Sequence, residues 1–166
     1  AREFSNVETV QIIFNIFRQR PKELFFRLVQ ERNLGVIVRV PLASGLLSGK
    51  FGRNTQFSSE DHRNFNRDGS AFDKGETFSG VPYELGLDAV EELKELFSPK
   101  ETLAPLALRW ILMHDQVSTI IPGASRPEQV ESNISAADLP PLSQAQMEGI
   151  ESLYDQKIAP LVHQRW

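Results

Sequence analysis

A chain of 166 residues, 40% hydrophobic and 24% charged, is long enough to bury one sizeable core, and its net charge of −4 removes any bulk attraction to nucleic acid or an anionic membrane surface. It has no cysteine, which excludes disulfides, thiolate metal sites and cysteine nucleophiles and fits a cytoplasmic protein. Its histidines, His62, His114 and His163, have no metal-ligand spacing, so no metal site is expected.

Residues 1–4 carry neither the apolar run nor the cleavage site of a signal peptide. Residues 10–14 then form a short, nearly continuous apolar run, the pattern of a strand covered on both faces, which Asn15 ends. Residues 21–33 open with Pro21, place acid early and base late, and repeat Leu24 with Leu28 and Phe25 with Val29; this predicts a helix. Gly35 restarts the chain as a strand over 36–40, giving a strand, helix, strand unit with short connections.

Residues 51–83 read differently. Gly, Asn, Ser, Asp and Arg dominate, with Phe57, Phe65, Phe72 and Phe78 recurring singly, so the segment is expected to be a long loop, either a cover for a ligand or disordered. An amphipathic helix follows over 85–97 (Leu85, Ala89, Leu93, Leu96), then a helix capped by Thr102 and running through Met113, with Pro105 in its first turn. The stretch 103–113 is the longest apolar run, but Pro105 and Arg109 interrupt it and it is too short to span a bilayer. A strand over 117–121, a helix over 127–136 and a final helix over 143–156, with Met147, Ile150 and Leu153 inward, complete the chain. Three buried strands separated by helices predict one domain over 1–166 with a parallel sheet, and ligands bind such sheets at the carboxyl ends of the strands.

Two strand-to-loop junctions lie at that end. The run from Ile120 to Asn133 is a strand, a turn at Gly123 and a helix start, where unpartnered N–H groups and the macrodipole favour an anion; Ser125 adds a hydroxyl and Arg126 a charge. The run from Gly35 to Lys50 is the second, and two such junctions suggest a phosphate-bearing cofactor. Taken singly, Gly45, Gly49 and Gly123 are turn glycines. Ser125 with Glu128 also forms Ser-x-x-Glu, a capping box that stabilises a helix start without any ligand. The carboxylates Glu91, Glu92 and Glu95 read as a solvated helical face, and Arg109 beside Trp110 as structural.

The residues Pro41-Leu42-Ala43-Ser44-Gly45-Leu46-Leu47-Ser48-Gly49-Lys50, together with Ile121-Pro122-Gly123-Ala124-Ser125-Arg126-Pro127-Glu128-Gln129 and Asn133, resemble the aldo-keto reductase family. Val10-Gln11, Phe14-Asn15, Ala107 to Leu112 and Val117-Ser118-Thr119 extend the likeness in order from about Val10 to about Tyr154. The resemblance implies an α/β fold that is the C-terminal portion of a (β/α)8 TIM barrel, the last three parallel strands with covering helices. It implies an NADP(H)-dependent oxidoreductase that reduces aldehydes or ketones. It places the family's catalytic Asp, Tyr, Lys and His on earlier strands, so no catalytic residue is assigned and the chain alone is expected to be inactive.

By the same resemblance Gln11 matches the glutamine that holds the nicotinamide amide, Val40, Pro41, Leu42, Ala43 and Ser44 the loop along the pyrophosphate, and Lys50 a lysine near that bridge. Gly123, Ser125, Gln129 and Asn133 match residues around the 2′-phosphate and adenine, with Arg126 as neighbour. Arg39 stands where the family commonly has an aromatic that stacks on nicotinamide, and Ser132 replaces a common glutamate. The expected partner is a small-molecule carbonyl substrate, with neither nucleic acid nor membrane. His62 or Arg63 is a candidate to reach a phosphate from the loop. Two alternatives stay open: a non-catalytic cofactor-binding or regulatory module of the same family, and a barrel piece whose two unpaired edges are covered by self-association.

Overall fold

The computed structural model describes residues 6–164; residues 1–4, where no signal peptide is expected, lie outside them. Strands β1 (Thr9–Ile13), β2 (Gly35–Arg39) and β3 (Thr119–Ile120) form one parallel sheet in chain order. The register pairs Gln11 with Ile37 and Ile13 with Arg39, and Val38 with Ile120. The third strand is shorter than the apolar run predicts, yet its hydrogen bonding continues on both sides, from Ser118 N to Val36 O at 2.9 Å and from Ile121 N to Val38 O at 2.9 Å.

The crossover from β1 to β2 carries a 3-10 turn at Arg20–Lys22 and helix α1 (Phe25–Glu31), so the proline-led start of the expected helix is a separate turn. Four short helical pieces interrupt the long segment that follows β2: the 3-10 run Ala43–Ser48, α2 (His62–Phe65) and 3-10 turns at Lys74–Glu76 and Phe78–Gly80. Helices α3 (Tyr83–Glu95) and α4 (Leu103–Leu112) lead to β3, and α5 (Pro127–Ser135) and α6 (Gln144–Leu153) follow it. A π-turn at Tyr154–Ile158 and α7 (Ala159–Val162) end the described chain, where a single helix was expected to reach residue 156. Thr102 sits at the N-cap of α4 with extended backbone, but its side chain makes no capping bond.

The core lies on the helix side of the sheet. Phe14, just past β1, is fully buried, with ring centroids 4.8 Å from Phe26 of α1 and 5.0 Å from Trp110 of α4. Helix α3 buries Tyr83, Leu87, Ala89, Val90 and Leu93; of the expected stripe Ala89 and Leu93 are fully buried, while Leu85 and Leu96 are half-buried. Helix α6 faces inward through Ile150 and Leu153. The opposite, inner face of the sheet lacks a covering layer within the described residues: Gln11 and Ile121 are exposed and Ile13, Ile37 and Arg39 half-exposed. No helix among the described residues is long and apolar enough to cross a membrane.

The segment 51–83 is folded against the domain. Phe51, Phe57, Phe78 and Tyr83 form one aromatic cluster with centroids 5.1 to 6.1 Å apart. Asn66 is buried and closes its own turn, donating to Thr77 Oγ1 at 3.1 Å and accepting from the N–H groups of Ala71 and Phe72 at 2.9 and 3.0 Å. Polar composition concealed this because the polar side chains bond the segment's own backbone.

Candidate cofactor site

The carboxyl end of β2 is held in a strained turn. Val40 (φ 51°), Ala43 (φ 48°), Ser44 (φ 55°) and Gly45 (φ 98°) all take left-handed backbone. For a β-branched residue such as Val40 this costs roughly 1–3 kcal/mol and persists only where neighbours over-determine it. Asn15 supplies the restraint: its Nδ2 donates to Val40 O and to Ser79 Oγ, each at 2.8 Å, while its Oδ1 accepts from Phe17 N at 2.8 Å. One buried amide therefore joins the end of β1, the end of β2 and the far end of the long segment.

That segment returns across the strand ends as a strap. The Arg39 guanidinium makes a two-pronged pair with Glu76, which pushes its pKa further above the ordinary value. Ser44 Oγ donates to Glu76 O at 2.9 Å and accepts from Phe78 N at 3.1 Å. Between β1 and the strap lies a cavity of about 420 Å³, with Gln11, Ile13 and Arg39 on the sheet side, Arg18 beside them and residues 73–76 opposite.

The second junction lies at the neighbouring strand end. A recess of about 540 Å³ is lined by Ala124, Ser125, Arg126, Pro127, Val130 and Glu131. The capping box predicted from Ser125 and Glu128 is not formed. Arg126 is the N-cap, and Gln129 Oε1 accepts from Ser125 N at 2.7 Å, Ser125 Oγ at 3.1 Å and Arg126 N at 3.2 Å. An anion arriving there meets donors already satisfied by Gln129, so its attraction rests on the exposed Arg126 guanidinium, which has no ion pair among the described residues. A Cβ at Gly123 would meet nothing within 4 Å, so the approach is open.

Gln11 and Arg39 thus share one cavity, and the loop from Val40 to Ser44 leads away from it. Pro41 and Ala43 are buried. Lys50 is fully on the surface, as are Gly123, Ser125 and Arg126, while Gln129 and Asn133 are half-exposed on the first turns of α5. Arg63 turns inward on its own segment: its Nε lies 2.9 Å from Asp61 Oδ1 and its guanidinium carbon 4.7 Å from the centre of the Phe57 ring. That hydrogen-bonded pair lowers the Asp61 pKa to about 2 and leaves Arg63 engaged. His62 stands 3.5 Å from the same carboxylate with its own side chain exposed. Asn15, Glu76 and Ser79 had no signal as a set, because 37 and 64 residues separate the partners.

Among the described residues no cluster of His, Cys, Asp or Glu could hold a metal. The sequence profile of the aldo/keto reductase family matches residues 2–155. The chain belongs to that family. Among curated relatives it is 34% identical over 109 residues to L-glyceraldehyde 3-phosphate reductase of Escherichia coli K12, covering 65% of this chain and 30% of that protein. It is 30% identical over 138 residues to a probable voltage-gated potassium channel subunit beta of Arabidopsis thaliana, covering 78% of this chain and 38% of that one. Among solved structures, the holo form of aldo-keto reductase AKR11C1 from Bacillus halodurans superposes with a TM-score of 0.64 at 28% identity, covering 92% of this chain and 44% of that chain. The glycerol dehydrogenase AKR11B4 of Gluconobacter oxydans, at 23% identity, TM-score 0.71 and 90% and 43% coverage, shares the fold. The chain therefore spans less than half the length of the relatives it matches and has the fold of a partial barrel.

Proposed function

We propose that this aldo/keto reductase chain is the cofactor-holding part of an NADP(H)-dependent oxidoreductase that reduces aldehydes or ketones, with the cytoplasm as its expected compartment. The observation that carries the reading is the succession of three features along the three parallel strands. Gln11 lies midway along β1, and the strained loop from Val40 to Ser44 and the Ser125–Arg126 recess follow the carboxyl ends of β2 and β3. Their chemistry suits the group: an exposed carboxamide for an amide, a backbone-lined loop for a diphosphate, and a guanidinium beside an open recess for a further phosphate.

When bound, the nicotinamide supplies hydride to a carbonyl carbon. This chain's residues bind and orient: Gln11 fixes the amide, Ser44 and the turn at Val40 set the course of the diphosphate, and Arg126, Gln129 and Asn133 hold the adenosine end. The strap limits water at the carboxyl ends of β1 and β2. The general acid and its tuning groups belong, by the resemblance, to earlier strands of the barrel, so the chain alone is expected to bind cofactor without turnover. A fluorescence titration of NADPH tests this. Saturable binding that weakens several-fold in Arg126→Ala supports it, whereas no binding, or carbonyl reduction by the chain alone, contradicts it.

One observation favours a second reading. Arg39 is paired to Glu76 where an aromatic would stack on nicotinamide, which suits a non-catalytic cofactor-binding or regulatory module. A chain completed with the catalytic set that binds NADPH but reduces no carbonyl compound would favour this module over the reductase.

A further inference from the structure

Three side chains outside the cofactor site form one continuous hydrogen-bonded relay. Tyr154 Oη lies 2.9 Å from His163 Nδ1, and His163 Nε2 lies 2.7 Å from Glu23 Oε1. The relay runs from inside to outside: Tyr154 is buried, His163 half-buried and Glu23 exposed. Chemistry fixes the direction of each bond. A carboxylate only accepts, so Nε2 carries the proton, and Nδ1 of the neutral ring then accepts from the Tyr154 hydroxyl. Burial raises the Tyr154 pKa, so the phenol keeps the proton it donates.

The backbone brings the three together. At Tyr154 helix α6 passes into the π-turn, where Ala159 N–H reaches back to Tyr154 O. Pro160 follows in α7 and lacks the N–H that would continue an ordinary α-turn, so the wider turn is the local answer. Helix α7 in turn backs the strap. Val162 is fully buried, its Cγ1 3.8 Å from where a Cβ on Gly80 would stand, and its carbonyl accepts from Arg18 Nη1 at 3.3 Å. Gly80 ends the strap next to Ser79, the residue that Asn15 ties to the end of β2.

We propose that α7 is a latch behind the strap, with His163 as the positioning residue that keeps it shut. The proposal rests on the reading of the strand ends as a cofactor site and adds to it a control on cofactor release. Helix α7 lines neither the cavity beside Gln11 nor the recess at Ser125 and Arg126, so it acts through the strap alone. Held at both ring nitrogens, His163 has one orientation and fixes α7 against the crossover that follows β1. With α7 seated, Val162 packs on Gly80; with α7 displaced, residues 78–80 lose their backing and the strap is free to leave the strand ends.

The test compares the 166-residue chain with His163→Ala, Tyr154→Phe and Glu23→Gln by nitrogen NMR of the His163 ring, by amide exchange and by the rate of NADPH dissociation. The native ring is expected to be the Nε2–H tautomer. The bonded amides of Thr77, Gly80 and Val81 are expected to exchange about tenfold faster in His163→Ala, the usual weight of one hydrogen bond, with those of β2 unchanged. NADPH is expected to leave several-fold faster from the same variant. Glu23→Gln keeps an acceptor for Nε2–H and is expected to match the native chain. Tyr154→Phe removes one bond with little change in packing, and it gives the same strap comparison if His163→Ala fails to fold. An Nδ1–H tautomer, strap exchange unchanged in both His163→Ala and Tyr154→Phe, or equal acceleration in strap and β2 would overturn the latch. So would NADPH dissociation that stays constant while the strap exchanges faster. Faster strap exchange in His163→Ala, in a chain whose native form binds no NADPH, would sink the cofactor reading and leave the latch standing.

Discussion

Replacing Asn15 by alanine isolates the tie on which the candidate site depends. Three bonds of 2.8 Å are lost, to Val40 O, to Ser79 Oγ and from Phe17 N, around a side chain with no solvent exposure. Each contributes about 1 kcal/mol net. The consequences then differ. Val40 O retains a second donor in Ala43 N at 3.1 Å, but Phe17 N keeps no acceptor inside the core, which adds about 1–2 kcal/mol. The expected destabilisation is about 3–5 kcal/mol, a large share of the roughly 5–15 kcal/mol typical of a domain. Urea unfolding followed by far-UV circular dichroism reads it as a lower midpoint at unchanged slope. Ser79→Ala, which removes a single bond, should cost about 1 kcal/mol. A loss below about 1 kcal/mol for Asn15→Ala would refute the reasoning, because it would mean that water or a rearranged turn satisfies all three groups.

Glu76→Gln should speed proteolytic cleavage of the strap several-fold while lowering global stability by less than about 1 kcal/mol, because both charged side chains are about a third exposed and solvent screens them; unchanged cleavage would show that Asn66 and Ser79 hold the strap unaided. Gly45→Ala puts a Cβ 2.8 Å from Phe51 Cζ at a φ of 98° and should destabilise by roughly 1–3 kcal/mol with a matching loss of NADPH affinity, read by melting and by titration. Asp61 and His114 both contribute to the pH profile. Asp61, lowered from 3.8 to about 2 chiefly by hydrogen bonding to Arg63, contributes stability that is present above its unfolded value and lost as pH falls through the interval to about 2; Asp61→Asn should flatten that part of an acid unfolding curve. Burial lowers the His114 pKa, so its unfolded form binds the proton first and stability declines as pH falls below about 6.5; His114→Gln should remove that decline.

The strand and helix alternation was legible because Val36 and Val38 bury one side of β2 while short connections leave few alternatives to a parallel crossover. The loop from Val40 to Ser44 was legible from residue types and order, whereas the expected turn at Gly123 is irregular chain without left-handed backbone. What the sequence did not reveal depends on partners distant along the chain. Nothing local marks Glu76 as the counter-ion of Arg39, or Asn15 as a bridge to Ser79, since each pairing exists only once the strap has returned to the sheet. The helix cap shows the same limit at short range: Ser125 and Glu128 have the spacing of a capping box, yet the start of α5 at Pro127 leaves Gln129 to reach the free N–H groups. Asn66 and Thr77 read as loop polarity because a buried amide that closes its own turn has the same composition as a solvated one.

The bond from Asn15 to Ser79 spans 64 residues of chain and also bears a consequence for the order in which the molecule assembles. β1 and β2 can pair, and α1 can cover them, before residues 51–83 arrive, whereas the strap needs a finished strand end to dock on. Loop closure over that distance is compensated only when the buried amide meets Val40 O and Ser79 together. The strap is expected to dock after β1 and β2 have paired, and any partial opening of it must break the bonds of Asn15 and Ser44 and uncover Phe78. Amides of residues 76–80 should exchange with solvent faster than those of β2 if the strap opens ahead of the sheet, and equal protection would show that strap and sheet open together.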